Sequence, residues 1–443
     1  MNWVEPEISL RWGVVIALVS MVATMMGCNS HDLEVDTRAS ALDGRAASQW
    51  MDVILERVEA DALTPPVTSR VLAYAGVAIY EGSLGGMPEH RSLAGQLNGL
   101  GELPHDEAPD ELDPLSVLHA TMGHMAPALF TDLDSQHHLI ETAEALLSER
   151  LRDGVPPARV HRSAAHGEAL ALALGNWSFS DGFYGRTALD FAAPQGPQAW
   201  VPTAEAQQPL EPHWRSLRPF ALSTADRCEP PAPHPFSTKE TSEFYHQALR
   251  VWQTSQELTD DQRAIALFWA DDPGKTSTPP GHWMAIASQM VEDHELNLEE
   301  AAQLFALLGI ATGDAVIACW HAKYEHFLLR PVTYIQRYID PDFQTLIATP
   351  PFPEFTSGHS TFSGAASTIL TAHFGEIPFE DRTHNDRGFA SRSFESFDAA
   401  AQEAAASRLF GGIHYPMGNE AGLLQGWCVG EEVLRRVQLR RHR

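Results

Sequence analysis

Apolar residues recur at three- and four-residue steps through almost the whole chain, and that period commits it to helices. Ala46 to Ala60, Val67 to Glu81, Thr131 to Arg152 and Ala158 to Asn176 each carry such a stripe. A second helical block starts near Ser237, where Ser-Thr-Lys-Glu has the form of a capping box. It continues through Thr259 to Ala270, Leu298 to Leu308, Gly313 to Leu329, Gly358 to Phe374, Ser396 to Phe410 and Asn419 to Arg436. Thr131-Asp132 opens one helix, and Gly154 before Pro156-Pro157 closes it. No segment alternates as a half-buried strand does, and no internal repeat is evident. The expected class is all-α.

Between the two blocks, Phe191 to Pro235 holds ten prolines. A flexible linker has this composition, yet Trp200, Trp214, Phe220 and Phe236 punctuate it, and aromatic rings are costly to leave in water. An ordered segment wrapping the helices fits better than a spacer between independent domains. The expected parts are an export signal at 1–27, a helical part at 28–190, the wrapping segment at 191–235 and a second helical part at 236–443. Asp381 to Ser393, polar and Arg-rich, is expected to be a surface loop.

Trp12 to Met26 is an uncharged apolar run of signal-peptide length, about fifteen residues, and it ends in Gly27-Cys28. That ending predicts a lipoprotein with lipid on Cys28, or else an ordinary signal peptide or short anchor. Either places the mature chain outside the cytoplasm: periplasm-facing, on an outer membrane, or secreted. No later stretch is expected to reach transmembrane length. The remaining Cys228, Cys319 and Cys428 predict neither a disulfide framework nor a zinc-thiolate site, and Cys319 and Cys428 sit in apolar helical stretches that suit buried inert thiols. A net charge of -28 excludes nucleic acid as a partner. It also means that any anion site must be made basic locally, in a chain whose only lysines are Lys239, Lys275 and Lys323. Nothing in the composition speaks to oligomeric state.

Three short motifs carry candidate chemistry. Lys323 and Arg330 are seven residues apart, almost two helical turns, so a helix ended by Pro331 would put both cations on one face, either a solvated stripe or a site. Pro350 to Ser360 reads Pro-Pro-Phe-Pro-Glu-Phe-Thr-Ser-Gly-His-Ser, where Thr356 or Ser357 can cap a helix starting near Gly358. Free N–H groups and a positive dipole end make that start a seat for an oxyanion, with His359 beside it to move protons, unless the histidine is simply exposed on a capped helix. Arg408 and His414 flank Gly411-Gly412, which must redirect the chain if the two side chains are to meet; a lone histidine in such a loop is often structural.

Together, Lys-x6-Arg-Pro, Ser-Gly-His and Ser-Arg-x5-His resemble the signature of the vanadium-dependent haloperoxidase and type 2 phosphatidic acid phosphatase superfamily. Pro65-Pro66 through Glu81, Gly281-His282-Trp283, Asp314-Ala315 and Asn419 to Gly422 look like its secreted bacterial haloperoxidase-like branch. The resemblance implies two packed four-helix bundles around bound vanadate. Lys323, Arg330 and Arg408 would neutralise its oxygens, with Ser357 and the Gly358 N–H as further donors. His414 would ligate vanadium, His359 would be the acid–base residue, and Phe352 would sit on the halide side. The implied reaction uses hydrogen peroxide to oxidise a halide, bromide being the expected substrate, with vanadium acting as a Lewis acid. As a phosphatase, the same frame would hydrolyse a phosphoester through a phosphohistidine at His414. Two positions depart from the pattern: Thr356 replaces a proline, and Gly418 replaces the aspartate that orients the second histidine. Asn419, Glu420 or a backbone carbonyl are the expected stand-ins, and Gly418→Asp is expected to strengthen the site provided the backbone there tolerates a side chain. If nothing stands in, the chain would be a non-catalytic oxyanion-binding lipoprotein.

Overall fold

The computed structural model describes residues 38–205 and 207–441; the expected export signal at 1–27 and Cys28 lie outside them. Thirteen α-helices fall within the described residues. The first five are α1 (Arg45–Ala60), α2 (Pro65–Ser83), α3 (Pro114–Met125), α4 (Leu133–Arg152) and α5 (Pro157–Phe179). After a long irregular stretch come α6 (Glu243–Gln256), α7 (Asp260–Phe268), α8 (Thr278–Asp293) and α9 (Leu298–His326). The last four are α10 (Pro331–Tyr338), α11 (Gly358–Phe374), α12 (Phe397–Phe410) and α13 (Pro416–Arg436). In one bundle α3 packs against α2, α4 and α5; in the other α11 packs against α9, α12 and α13. The bundles join where α2 lies along α9. Gly76 makes that contact possible, since a Cβ there would stand 2.3 Å from the Phe305 carbonyl oxygen.

The spine is α9. Asn297 and Glu300 cap its start reciprocally, and its 29 residues join what the periodicity split into two helices. It is long and apolar enough to cross a membrane, contrary to the expectation that no later stretch is. Neighbouring helices bury it on nearly all sides, which is why its sequence is apolar all round.

Two contacts among several pin the proline-rich segment to the helices. Asp314, buried on α9, accepts the backbone N–H groups of Phe220, Ala221 and Leu222 at 2.6, 2.7 and 2.7 Å. Burial raises its carboxyl to about 6, and the three donors offset that cost while fixing the segment to the spine. Trp200, Trp214 and Phe220 of this segment are all buried. The second pin is a disulfide between Cys228 and Cys428, on α13. It overturns the expectation of no disulfide, because 200 residues of chain separate two Cα atoms that the fold brings to 5.8 Å. Cys319 is buried and free, as expected. Cys228→Ala should lower unfolding stability by about 2–5 kcal/mol; an unchanged guanidinium midpoint would show that the bridge does not contribute.

Two local expectations also change. Ser237 accepts the Lys239 N–H in a turn, and α6 begins later with Ser242 as its cap. Residues 381–393 are not simply a surface loop. Strands β1 (Phe379–Asp381) and β2 (Arg392–Phe394) pair antiparallel across them, and Asp381 and His384 are buried.

Candidate active site

Lys323 and Arg330 do not share a helix. Phe327 takes a left-handed conformation (φ 44°) that ends α9 at His326, and Arg330 becomes the N-cap residue of α10. Both cations are fully buried. Lys323 Nζ donates to the carbonyls of Pro353, Glu354 and Thr356 at 3.0, 3.1 and 2.5 Å. Arg330 Nε donates to Phe352 O at 2.9 Å, and its Nη1 to Ile413 O at 3.0 Å. The prolines of this loop prevent a helix or ladder, so its carbonyls need partners from elsewhere, and the two cations provide them. All three ammonium hydrogens of Lys323 are thereby engaged, and its charge acts on the cavity as a field.

Ser357 caps α11 by accepting the Ser360 N–H, and Gly358 and His359 form the first turn at its positive end. Thr356 turns its hydroxyl to Gln425 at 2.7 Å instead of capping. Arg408 lies in the last turn of α12, and Gly412 (φ 79°) bends the chain so that His414 returns to the same place. His414 Nε2 is 3.0 Å from Arg330 Nη1, and its Nδ1 is 2.8 Å from Glu354 Oε1. A guanidinium only donates, so Nε2 carries the lone pair and Nδ1 the proton. Burial, then the charges of Arg330, Lys323 and Arg408, hold His414 well below the usual histidine range. Burial and Arg408 do the same to His359, so both imidazoles are neutral at physiological pH. Burial lowers Lys323 to about 8, Arg330 to about 10 and Arg408 to about 9, leaving the three cations charged there.

Glu354 was not among the candidates from sequence. It is fully buried, and its Oε1 also accepts the Tyr415 N–H at 3.1 Å. Burial raises its carboxyl to about 7, against the pull of Arg330 and Lys323. A Cβ at Gly418 would stand 2.2 Å from the same Oε1. The carboxylate missing at Gly418 is therefore supplied by Glu354, not by Asn419, Glu420 or a backbone carbonyl. Gly418→Asp is expected to strengthen the site only if the backbone there tolerates a side chain, and that condition is not met, because the added Cβ meets Glu354 Oε1. The available signal was an acidic residue in an otherwise apolar, proline-rich run just before Ser-Gly-His.

A cavity of about 320 Å³ opens onto Gly358, His359, Arg408 and His414, walled by Leu210, Trp320, Phe352 and Phe362. Phe352 lies 4.9 Å from Lys323 Nζ and 4.9 Å from the Arg330 guanidinium carbon, its ring face shielding both charges. Arg330 Nη2, Arg408 Nε and His359 Nε2 are buried without a protein partner. The two guanidinium donors, beside a helix N-terminus, are what a highly charged tetrahedral oxyanion would satisfy, and the neutral His359 ring donates or accepts at Nε2 according to its tautomer.

Behind Arg408 lies a network to which the sequence reading gave no role. Arg408 Nη1 donates to Trp269 O at 2.8 Å, and the Trp269 indole stacks on His282 with ring centroids 4.6 Å apart. His282 bridges two buried carboxylates, with Nδ1 2.9 Å from Asp271 and Nε2 2.9 Å from Asp381. Burial opposes its charge, but the two carboxylates outweigh it and push its pKa to about 10. His384 Nε2 lies 3.1 Å from Asp271. Asp271, His282 and His384 are close enough to hold a metal ion, yet their facing atoms already satisfy one another as an ion-pair network.

Fold and site thus define an all-α enzyme class built around an oxyanion. Residues 303–442 match the family described as VCPO second helical-bundle domain. Vanadium chloroperoxidase of Curvularia inaequalis is 28% identical over 214 residues, or 41% of this chain; the match spans only 34% of that protein. The crystal structure of the first bacterial vanadium-dependent iodoperoxidase is 33% identical, with a TM-score of 0.84 over 90% of this chain and 97% of that one. A holo-type bacterial vanadium-dependent chloroperoxidase, 16% identical with a TM-score of 0.62 over 84% and 93% of the two chains, shares the fold. The chain belongs to the vanadium-dependent haloperoxidase family.

Proposed function

We propose that the protein uses hydrogen peroxide to oxidise a halide at bound vanadate. The observation that carries this reading is the pair of orphaned guanidinium donors, Arg330 Nη2 and Arg408 Nε, with the unpartnered His359 Nε2 and the His414 lone pair beside them. A buried unpaired donor costs ~1–3 kcal/mol, so a fold that keeps two guanidinium donors unpaired at one place is shaped for a ligand that accepts. Arg330, Arg408, the Ser357 hydroxyl and the Gly358 N–H would hold the oxygens, and His414 Nε2 would ligate vanadium once Arg330 turns to the oxyanion. Bound vanadate supplies a Lewis-acidic centre that activates peroxide without changing oxidation state. His359, neutral and beside the helix start, would move protons at the peroxide oxygen through Nε2. Phe352 and Trp320 would keep water from the halide side.

Iodide and bromide are expected ahead of chloride, since two-electron oxidation becomes harder in that order. The likeness to a bacterial iodoperoxidase supports iodide as the first halide to test. We also propose that the protein lies outside the cytoplasm, lipid-anchored at Cys28 or secreted, from the apolar run that ends in Gly27-Cys28. The Cys228–Cys428 disulfide supports an oxidising compartment. Intact mass of the membrane fraction tests the anchor: an unmodified Cys28 would remove it and leave the enzyme reading intact.

The activity test is reconstitution of metal-free protein with orthovanadate, followed by peroxide-dependent oxidation of each halide. In parallel, hydrolysis of an aryl phosphate is measured without metal. Vanadate-dependent halide oxidation with little phosphate release is the expected outcome. Fast metal-free phosphate release with no halide oxidised would replace this reading by the phosphatase one. Glu354 counts against a non-catalytic oxyanion-binding lipoprotein, because that reading rested on the absence of a carboxylate for His414.

A further inference from the structure

We propose that Glu354 is the positioning residue for His414, and that Gly418 lacks a side chain so that this carboxylate can reach the imidazole. The inference rests on the proposed function for its vanadate arm alone; its tautomer arm needs no vanadate.

The geometry is specific. Glu354 Oε1 accepts from both His414 Nδ1 (2.8 Å) and the Tyr415 N–H (3.1 Å), so one oxygen grips the ring and the backbone that carries it. The opposite ring nitrogen faces Arg330 Nη1 at 3.0 Å, a donor that demands a lone pair there. The carboxylate and guanidinium thus impose the same tautomer from two sides. Glu354 is itself held from behind, because its carbonyl and those of Pro353 and Thr356 accept the Lys323 ammonium. The side chain comes from the loop before α11, whereas Gly418 lies in the first turn of α13, on the far side of His414 in sequence. With Oε1 only 2.2 Å from where a Gly418 Cβ would be, the two positions compete for one place. A carboxylate fits there from Glu354 or from position 418, not from both.

Four forms of the full chain test this: wild type, Glu354→Ala, Gly418→Asp, and the double variant. The first measurement is ¹⁵N NMR of the histidine rings in oxyanion-free protein, with His414 assigned from a His414→Gln spectrum. Wild type should show the Nδ1–H tautomer, Glu354→Ala should lose it, and the double variant should restore it. Glu354→Gln, which keeps an acceptor without the charge, should retain most of it and covers the case in which the alanine variant does not fold. The second measurement is calorimetric affinity for vanadate and inorganic phosphate. Loss of a carboxylate partner to a metal-ligating histidine typically costs ~10–100-fold in metal affinity, so Glu354→Ala should weaken vanadate by that factor. Phosphate, held by the cations alone, should bind equally or more tightly once a neighbouring negative charge is gone. Gly418→Asp alone should also weaken vanadate, and the double variant should recover at least tenfold over Glu354→Ala. An Nε2–H tautomer in wild type, equal losses for both anions, or no recovery in the double variant would each overturn the proposal. If wild type shows the Nδ1–H tautomer but binds no vanadate, the proposed function fails while the positioning role stands.

Discussion

His414→Ala is expected to lose vanadate retention and halide oxidation together, whereas His359→Ala keeps bound vanadate and loses turnover. The difference follows from what each ring faces. His414 presents to Arg330 a lone pair fixed from both sides of its ring, and would bond the metal through it. Without it, vanadate is held by charge alone, as phosphate is, and should wash out in gel filtration. His359 opens α11 with its Nε2 orphaned, and its loss removes a proton carrier but no cation. A proton-transfer residue typically contributes ~10²–10⁴-fold, so kcat should fall in that range while vanadium content stays near one per chain. Equal vanadium content in wild type and His414→Ala would show that this histidine does not ligate the metal.

Lys323→Ala is expected to damage folding more than any other single change at the site. Its ammonium closes three buried carbonyls of the proline-rich loop, at Pro353, Glu354 and Thr356. Each buried group left without a partner costs about 1–3 kcal/mol, so several kcal/mol would fall on a fold whose whole margin is about 5–15 kcal/mol. Arg408→Ala is the contrast. Arg408 makes a single backbone hydrogen bond, to Trp269, and leaves Nε unpartnered, so oxyanion affinity should drop sharply with a much smaller change in unfolding midpoint. Denaturant unfolding and vanadate calorimetry on both variants separate the cases. Wild-type stability in Lys323→Ala, with binding lost, would return the lysine to direct contact with the anion.

Sequence alone determined the class of fold, because helical periodicity is a local property of neighbouring side chains. Gly358 to Phe374 matches the helix at both ends, since Ser357 can cap it and the preceding prolines keep it from starting earlier. The three motifs were legible for the same reason, each being a short run with its own turn chemistry.

Contacts between distant parts of the chain were decided only by tertiary structure. Lys323 and Arg330 looked like one helical face, but packing of Phe327 and the bridge from Leu328 to Ala199 end α9 between them, so they reach the loop from separate elements. Cys228 and Cys428 have no spacing that announces a pair, because the fold closes the 200 residues between them. The gap at Gly418 read as a missing carboxylate because sequence lists neighbours along one strand of chain. The imidazole instead senses whatever acceptor lies within hydrogen-bond reach, and here that is Glu354, sixty residues before His414.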